Sequence, residues 1–379
     1  MKILHCNWSG TLGGAENFAY QLAKNQKAVG HDVVIAYMTN RLTIGQQAAD
    51  SGIRIFECRM KNGYDFFHLS RCFRFIRKEK FDVIHNHNGS RSLNAIKFFL
   101  PGSVLINHFH TTSFGNEKWE KSSTLFWNKL TSDLVDHYIA NSDHTKNIIM
   151  EKYGLPHHRV SVLYNGIDLE SFRPIKKTAA VRKEFGLRDS EKVVGTVARL
   201  VPPKGIDKFI EVAKRVSIEV DNVKFLIVGD GKLRPALEER IVKLDLQDKI
   251  VFVGARTDVP DLLSIFDIFL LTSSWEAFGI TLLETMTIGI PIIAFAVGGV
   301  PEVVNETCAI LVNPGDIKRM SQETLNLFEN KSKQKELIQG GLERVKEFDI
   351  VKISRECTEI YYKLLTRKGH VEAKTSNER

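Results

Sequence analysis

Two glutamates, Glu276 and Glu284, lie eight residues apart in the segment WEAFGITLLETMTIGIPIIA. Were all the residues between them helical, their carboxylates would lie about 80° apart around the helix and roughly two turns apart along it, too far to meet at one atom. A buried strand, FDIFLLTSS, comes before them. We therefore predict that Glu276 lies in the loop after this strand and that Glu284 lies one to two turns inside the following helix. They would then bracket an anion held by backbone N–H groups near Gly279, Ile280 and Thr281.

Carboxylates beside a bound anion are useful if they accept hydrogen bonds from hydroxyl groups, as on ribose or on a sugar, instead of touching the phosphates. Two cations, Arg199 and Lys204, support such a ligand because both lie in the loop ARLVPPKG, between a strand and a helix. Their charges and the helix N-terminus would attract the same anion. The alternative is a glutamate at a helix cap, a second one on a helix surface and two solvated cations.

The alternation of apolar runs with helix-length segments predicts the fold class. The 379 residues, 43% of them apolar, are enough for two domains that each bury a core. Runs such as KILHCNW and HDVVIAYM alternate with helical patterns in the first half, and the alternation restarts with KVVGTVARL and VKFLIVGDG. We predict an α/β protein with two doubly wound, Rossmann-like domains joined by a linker near residues 168 to 180. Because ligands bind beyond the carboxyl ends of parallel strands, we expect the domains to face each other across a cleft.

Motifs and composition argue against several other classes of protein. The run GDGKLR lacks the third glycine of a dinucleotide fingerprint, which argues against NAD. The formal net charge of +8 accompanies no recognisable nucleic-acid-binding motif, so we expect no nucleic-acid partner. The five cysteines are scattered, and no apolar run has the length of a signal peptide or a membrane span. We expect a cytoplasmic protein with reduced, mostly buried thiols.

The segment from Lys61 to Lys80, KNGYDFFHLSRCFRFIRKEK, interleaves phenylalanines with arginines and lysines. This pattern fits an amphipathic helix that packs on its own sheet and keeps a solvated basic face. It also fits an interfacial helix on an anionic membrane. We predict the first arrangement and keep peripheral membrane contact as the alternative.

Two His-x-His pairs, His85 with His87 and His108 with His110, lie at predicted strand ends. Strand alternation places both members of each pair on one face of the sheet. Such pairs could suggest zinc, but no HExxH motif or acidic ligand accompanies them. We therefore predict histidines of an active site or of the core, and no metal.

Several segments together resemble the family 4 glycosyltransferases, which have the two-domain GT-B fold. They are GTLGGAE, IANSDHTK and YNGID in the first half, and ARLVPPKG, VGDGKLRPALE, VFVGARTDV and SSWEAFGITLLETMTIGIPIIAFAVGGVPEVV in the second. The resemblance extends from Met1 to about Leu365. It implies a retaining enzyme that moves a hexose or N-acetylhexosamine from a UDP- or GDP-sugar to a hydroxyl of a saccharide or lipid-linked glycan. It also implies that no metal is required.

The resemblance assigns the nucleotide-binding roles to the second half of the chain. Arg199 and Lys204 would clamp the donor diphosphate and stabilise the leaving nucleotide. Glu284 would hold the ribose hydroxyls. Backbone groups of the segment from Gly254 to Arg256 would contact the base.

The same resemblance assigns the sugar-binding and transfer roles. Glu276, with the backbone of Phe278 and Gly279, would hold hydroxyls of the donor sugar. In the first half, the paired glycines of GTLGGAE would let a strand-to-helix loop approach the donor closely, and a histidine of NHFHTTSF would be the active-site histidine. These residues are Gly13, Gly14 and His110, although the neighbouring His108 leaves the identity of the working histidine open.

The family's architecture also implies where the domains lie. An acceptor-side domain would occupy residues 1–172 and a nucleotide-sugar-binding domain residues 173–350. A helix over residues 351–366 would cross back to the first domain, and a tail over residues 367–379 is polar enough to be disordered.

The implied reaction is attack by the acceptor hydroxyl on the same face as the leaving phosphate, which takes the proton. By analogy the acceptor is a growing envelope polysaccharide, such as a capsule or lipopolysaccharide, at the cytoplasmic membrane face. Two alternatives stay open: a nucleotide-sugar epimerase of the same fold, and a catalytically idle partner subunit.

Overall fold

Residues 1–10, 13–40, 42–61, 65–87, 91–98, 100–110 and 131–369 are described by the computed structural model of the protein. It divides into two units, one of Met1–Gly166 with Ile350–Arg379 and the other of Ile167–Asp349. The chain passes from the first unit to the second after Gly166, whereas the first domain was predicted to end at residue 172. The backbone N–H of Ile167 donates to the carbonyl of Phe348 at 2.9 Å, so the two crossing segments run together and Ile167 lies with the second unit.

The first unit contains a parallel sheet, seven-stranded within the described residues, in the order β3-β2-β1-β4-β5-β6-β7. β1 is an inner strand, with Ile3 beside Val33 on one neighbour and Val83 on the other. Both faces are covered by helices, which explains why the strands read as nearly continuous apolar runs. The strands are β1 Lys2–Asn7, β2 Asp32–Tyr37, β3 Arg54–Glu57, β4 Val83–His87, β5 Val104–Phe109, β6 His137–Ala140 and β7 Val160–Val162.

The helices of the first unit cover the two faces of the sheet with separate cores. One core includes residues of α1 and of the C-terminal helix, and the other includes residues of α3 and α5. The helices are α1 Gly14–Ala28, α2 Leu42–Asp50, α3 Phe66–Glu79, α4 Arg91–Asn94, α5 Asp143–Tyr153 and the C-terminal helix Ile350–Arg367, with 3-10 turns at Ala95–Phe98, Ser132–Leu134 and His157–Arg159. The predicted tail begins inside the last turn of the C-terminal helix, and residues 370–379 lie outside the described residues.

The second unit repeats this architecture with a parallel sheet, six-stranded within the described residues, in the order β10-β9-β8-β11-β12-β13. The chain runs outward from β8 to β10 and then returns to the other side of β8 at β11. The space beyond the carboxyl ends of β8 and β11 is therefore the switch point of the sheet, where ligands bind in folds of this kind. The strands are β8 Lys192–Val197, β9 Val223–Val228, β10 Ile250–Gly254, β11 Ile268–Leu271, β12 Ile292–Phe295 and β13 Ala309–Val312.

The helices of the second unit connect these strands. They are α6 Thr178–Glu184, α7 Ile206–Glu219, α8 Arg234–Lys243, α9 Val259–Leu263, α10 Ile280–Ile288, α11 Val300–Val303, α12 Ile317–Glu329 and α13 Lys331–Arg344, with 3-10 turns at Pro202–Lys204 and Val345–Phe348. The prediction of two doubly wound parallel sheets is confirmed.

Candidate active site

The loops after β8 and β11 meet at the switch point of the second sheet. The backbone N–H of Ser274 donates to the carbonyl of Pro203 at 2.8 Å, which ties one loop to the other. Gly205 has a φ of +60°, and a Cβ atom there would overlap the carbonyl oxygen of Thr272. Only glycine therefore permits this approach of the two loops.

This approach brings Lys204 and Glu276 together. The Nζ atom of Lys204 lies 2.6 Å from Oε1 of Glu276, and the Ser273 hydroxyl donates to the same oxygen at 2.7 Å. Glu276 lies in the loop after β11, as predicted, and is only 6% exposed. The buried carboxylate is thus paired with a cation and a hydroxyl donor, as buried charged groups require.

A third loop, which sequence reasoning missed, fixes the backbone of Glu276. The N–H of Gly299 donates to the Glu276 carbonyl at 3.0 Å. Gly298 has a φ of +54°, and a Cβ atom at this position would overlap the same carbonyl oxygen. The signal was the glycine pair in AVGGVPE, directly after β12.

Arg199 lies in the same loop as Lys204 and is exposed. Within the part of the chain that the structure describes, it has no ion-pair partner, whereas Lys204 is paired with Glu276. Arg199 is thus the uncompensated cation at the carboxyl end of β8. An anionic ligand could bind this guanidinium without breaking an existing ion pair.

Glu284 is the fifth residue of α10, just over one turn into the helix, as predicted. The helix starts after Gly279, whose φ is +93°, and Gly279 offers no side-chain cap to the first amides, among them those of Ile280 and Thr281. Burial raises the pKa of Glu284 from 4.5 to about 7. The carboxyl group therefore changes its charge near neutral pH, and a ligand that donates hydrogen bonds to it would favour the ionised form. The neighbouring Phe278 ring packs on Phe348, with ring centroids 5.8 Å apart, which leaves only its backbone for a ligand.

Gly254 ends β10 with a φ of +82°, and its carbonyl accepts from the N–H of Gly229 at 2.8 Å. The Arg256 guanidinium forms hydrogen bonds of 2.7 Å to both carboxylate oxygens of Asp258 and one of 2.7 Å to Glu184. These hydrogen bonds hold the guanidinium against Asp258 and Glu184. The contact of the Gly254 to Arg256 backbone with a base stays a prediction.

In the first unit, Gly13 and Gly14 lie at the start of α1. Gly13 is the residue before the helix, in an extended conformation, and Gly14 is exposed. A Cβ atom at Gly13 would overlap the Glu16 carboxylate, which folds back over this position. The Glu16 side chain is flexible and could move aside, so this contact alone does not require a glycine. Thr11 and Leu12 of the motif lie outside the described residues.

Five histidines form a buried layer on the face of the first sheet that α1 covers: His5, His85, His87, His108 and His110. Burial lowers the pKa of His5 to about 4 and that of His110 to about 3. Burial, together with repulsion among the rings, holds the pKa values of the other three well below their usual range. All five rings are therefore neutral at pH 7. The predicted shared face of each pair is confirmed, and His5 is an addition that sequence reasoning missed.

The histidine layer also has the spacing of possible metal ligands. His87, His108 and His110 place one ring nitrogen each within 4.8 Å of one another, and so do His5, His85 and His87. The ring nitrogens are hydrogen-bonded in pairs. His87 Nδ1 lies 2.9 Å from His110 Nε2, and His85 Nε2 lies 3.2 Å from His108 Nδ1. A metal ion would have to replace these hydrogen bonds. The expectation that the protein needs no metal stays a prediction.

The predicted amphipathic segment forms α3, which packs on the sheet through Leu69, Cys72 and Ile76. Its arginines face solvent, and Phe67 is 78% exposed. The helix thus keeps the basic outer face that the first arrangement predicted.

No helix of the described ranges is both long and apolar enough to span a membrane. All five cysteines are free and buried.

Two family models match the chain, Glycosyltransferase Family 4 over residues 12–171 and Glycosyl transferases group 1 over residues 177–344. The UDP-Gal:alpha-D-GlcNAc-diphosphoundecaprenol alpha-1,3-galactosyltransferase of Escherichia coli is 30% identical over 310 residues, which cover 76% of this chain and 78% of that protein. N-acetyl-alpha-D-glucosaminyl L-malate synthase of Bacillus anthracis is 25% identical over 368 residues, covering 94% of this chain and 95% of that protein. The chain belongs to the family 4 glycosyltransferases. It is an enzyme of the hexosyltransferase type.

Solved structures show the fold. HepE of Anabaena, solved in complex with UDP and glucose, superimposes with a TM-score of 0.85 at 21% identity and covers 96% of this chain and 100% of its own. WaaG, a glycosyltransferase involved in lipopolysaccharide biosynthesis, superimposes with a TM-score of 0.75 at 15% identity, covering 95% of this chain and 99% of its own. The predicted GT-B fold is confirmed.

Proposed function

We propose that this glycosyltransferase moves a hexose or N-acetylhexosamine from a nucleoside-diphosphate sugar to a hydroxyl of a glycan or lipid-linked acceptor, with retention of anomeric configuration. The observation that carries the proposal is the Lys204–Glu276 pair at the switch point of the second sheet, with Arg199, which has no ion-pair partner among the described residues, in the same loop as Lys204. UDP is favoured over GDP as the nucleotide. The E. coli relative is named for UDP-galactose, and HepE was solved with UDP.

The charges of the second unit support a role for each residue. Arg199 binds the diphosphate directly, since nothing in the described structure compensates its charge. Lys204 divides its three donors between Glu276 and the phosphate. Glu284 accepts hydrogen bonds from the ribose hydroxyls, and the Gly254 to Arg256 backbone contacts the base.

The reaction forms one bond and breaks one bond at the anomeric carbon. The acceptor oxygen bonds to this carbon on the face from which the phosphate oxygen departs with the bonding electrons. The acceptor's proton passes to that phosphate oxygen, so the products are the glycoside and the nucleoside diphosphate. Arg199 and Lys204 stabilise the negative charge that develops on the leaving group.

Glu276 acts in this reaction as a hydrogen-bond acceptor for the donor sugar. One of its oxygens, Oε1, already accepts from Lys204 and Ser273, which reduces its strength as a nucleophile. A covalent glycosyl-enzyme intermediate on Glu276, of the type that retaining hydrolases form, is therefore not part of the proposed course.

The acceptor is proposed to be a cell-envelope glycan carried on a lipid, at the inner face of the cytoplasmic membrane. The name of the E. coli relative specifies a diphosphoundecaprenol acceptor, and WaaG is involved in lipopolysaccharide biosynthesis. The exposed arginines of α3 and the exposed Phe67 fit contact with an anionic membrane surface.

Calorimetric titration with UDP, GDP and ADP, without added metal, tests the donor assignment. We expect UDP to bind most tightly and the Glu284→Ala variant to lose most of this affinity. Binding of GDP in preference to UDP would overturn the donor base, and binding of none would overturn the enzymatic proposal. NMR of the anomeric proton in the product of a UDP-sugar then decides between retention and inversion.

A further inference from the structure

Three of the buried histidines and Gln26 form one continuous chain of hydrogen bonds, which we call the histidine chain. Gln26 Oε1 lies 2.8 Å from His5 Nε2, and His5 Nδ1 lies 3.0 Å from His87 Nε2. His87 Nδ1 in turn lies 2.9 Å from His110 Nε2. Gln26 is fully buried on α1, and the three rings come from β1, from β4 and from the residue that follows β5. The chain ends at His110, which the family resemblance assigns as the active-site histidine.

The direction of every hydrogen bond in this chain is set from its far end. The Thr358 hydroxyl, on the C-terminal helix, donates to the Ser354 carbonyl at 2.8 Å, so its oxygen can only accept from Gln26. The atom of Gln26 that faces Thr358, at 3.4 Å, is accordingly the NH₂ group, and the amide oxygen faces His5. This resolves the usual ambiguity between the two ends of a glutamine amide.

A neutral imidazole has one donor and one acceptor nitrogen, so the direction passes from ring to ring. His5 must donate from Nε2 to the Gln26 oxygen, which leaves its Nδ1 as an acceptor. His87 then donates from Nε2 to His5, and His110 donates from Nε2 to His87. At His110, the remaining nitrogen, Nδ1, carries a lone pair. Within the described residues this buried atom makes no hydrogen bond of standard geometry, and neither does Oδ1 of Asn165. The Asn165 side chain nevertheless lies within reach of the His110 ring and acts to raise its pKa, against the larger effect of burial.

We propose that Gln26 is a positioning residue that fixes His110, through His5 and His87, as the Nε2–H tautomer. His110 then presents its Nδ1 lone pair to a hydroxyl hydrogen of the sugar substrate. This inference rests on the proposed sugar transfer and on the resemblance that makes His110 the active-site histidine. It assigns a ligand class to His110: a neutral acceptor nitrogen pairs with an O–H group, whereas phosphate oxygens offer it nothing to accept.

The histidine chain is a fixed support and not a path for protons. A proton entering at His110 Nδ1 would have to leave at the other end, where the Gln26 amide and the Thr358 hydroxyl offer no group that titrates near neutral pH. The chain therefore sets orientation and tautomer. Hydrogen bonds that orient metal-bound histidines typically change activity by 10- to 100-fold when they are removed, and we take the lower end of that range as the scale for this chain.

The test is two-bond ¹⁵N–¹H NMR of histidine-labelled, full-length protein, which distinguishes Nε2–H from Nδ1–H rings. In the wild type we expect Nε2–H at His5, His87 and His110. Gln26→Met removes the acceptor and keeps the length of the side chain, so His110 should become a mixture of tautomers. Gln26→Glu keeps an acceptor and should retain Nε2–H at His110. Gln21→Met on the same helix is the matched control and should leave all three rings unchanged.

The kinetic readout uses the same variants. In Gln26→Met we expect kcat with a UDP-sugar to fall roughly tenfold, with the UDP dissociation constant unchanged and with rescue by Gln26→Glu. If Gln26→Met does not fold, Thr358→Val removes the anchor of the Gln26 amide isosterically and is expected to shift the same tautomers.

The outcomes separate the inference from the function on which it rests. Nδ1–H at His110 in the wild type, donated toward Asn165, would overturn the inference, and so would unchanged tautomers in both variants. If the tautomers respond as expected while His110→Ala transfers sugar at the wild-type rate, the hydrogen-bond order stands and the role of His110 in transfer is wrong.

Discussion

The ammonium group of Lys204 lies 2.6 Å from the carboxylate of Glu276, at the point where three loops of the second unit meet. One loop supplies Lys204, the second supplies Glu276 with Ser273, and the third holds the Glu276 carbonyl through Gly299. Glu276 is thus fixed by its side chain and by its backbone. A ligand that binds Lys204 must share that cation with a carboxylate already in place.

The first prediction concerns the two roles of Lys204. Lys204→Met should weaken UDP binding at least about tenfold, because one of two cations of the anion site is lost. It should also lower the free energy of unfolding by about 1–3 kcal/mol, because the buried Glu276 carboxylate loses its partner. Adding Glu276→Gln should restore most of the stability without restoring affinity. Calorimetric titration and urea unfolding measure the two effects.

Lys214→Met, an exposed cation on α7, is the control for a general loss of charge. It should leave both affinity and stability close to those of the wild type. UDP affinity that is equal in Lys204→Met and the wild type would show that Lys204 serves only to neutralise Glu276.

A second prediction follows from the contact between Gly298 and Glu276. Gly298→Ala should lower kcat/KM by about 100-fold or more, because the new Cβ overlaps the Glu276 carbonyl and must displace this loop. Gly315→Ala is a matched control, since Gly315 also has a positive φ, +81°, with no atom of the described structure within 4 Å of the added Cβ. Both variants carry the strain of a left-handed alanine, about 1–2 kcal/mol. Melting temperatures should show that strain destabilises both variants, whereas steady-state kinetics should show a loss of activity in Gly298→Ala alone. Equal activities of the two variants would refute the positional role of Gly298.

The positions of Glu276 and Glu284 could be predicted from the sequence because they depend on local geometry. A buried strand, a loop and a helix that ends at a glycine follow one another in a single segment, so spacing alone places one carboxylate before the helix and the other inside it. The alternation of strands and helices likewise gave the fold class. Short strands such as β3 and β7 have four and three residues, which is too few to show a recognisable pattern of apolar residues.

The histidine chain and the Gly298 contact depend on elements far apart in the sequence. Gln26 lies on a helix and bonds to Thr358, 332 positions later, a pairing that no local pattern encodes. Gly298 looks like an ordinary turn glycine until β12 places it against the loop of β11. A glycine's close neighbour is a property of tertiary structure, so its role could not be assigned without the fold.

The third prediction concerns the pH dependence of nucleotide binding. The pKa of Glu284 is raised from 4.5 to about 7 by burial, and hydroxyl donors from ribose should favour its ionised form. UDP affinity should therefore rise as the pH increases from 6 to 8, with release of a proton on binding. Titrations in buffers of different ionisation enthalpy measure this proton. Glu284→Gln is the control for ionisation of the nucleotide itself, and an identical pH profile in that variant would contradict the assignment.

The same carboxyl group makes a prediction for stability. A carboxyl whose pKa is raised by folding stabilises the protein below the unfolded pKa, and this contribution is lost as the pH rises through the folded pKa. Between pH 4.5 and about 7, the wild type should therefore lose stability that Glu284→Gln keeps. The difference should reach on the order of 2 kcal/mol in favour of the variant at pH 8. Melting temperatures of both proteins at pH 5 and pH 8 test this, and a constant gap would show that Glu284 is ionised in the empty site throughout.

The last prediction separates His110 from His108. His110 follows the final residue of β5 and is 9% exposed, whereas His108 lies one side-chain pair deeper in the strand and is fully buried. His110→Ala should lower kcat by about 100-fold with an unchanged UDP dissociation constant, since an interaction made only during transfer is removed. His108→Ala should mainly lower the melting temperature, because it opens a cavity beside Phe18 and leaves the Nε2 atom of His85 without its partner. Since the pKa of His110 is lowered to about 3, the transfer rate of the wild type between pH 5 and 9 should show no ionisation of this ring. A transfer rate that falls more in His108→Ala than in His110→Ala, at equal folded fraction, would exchange the two assignments.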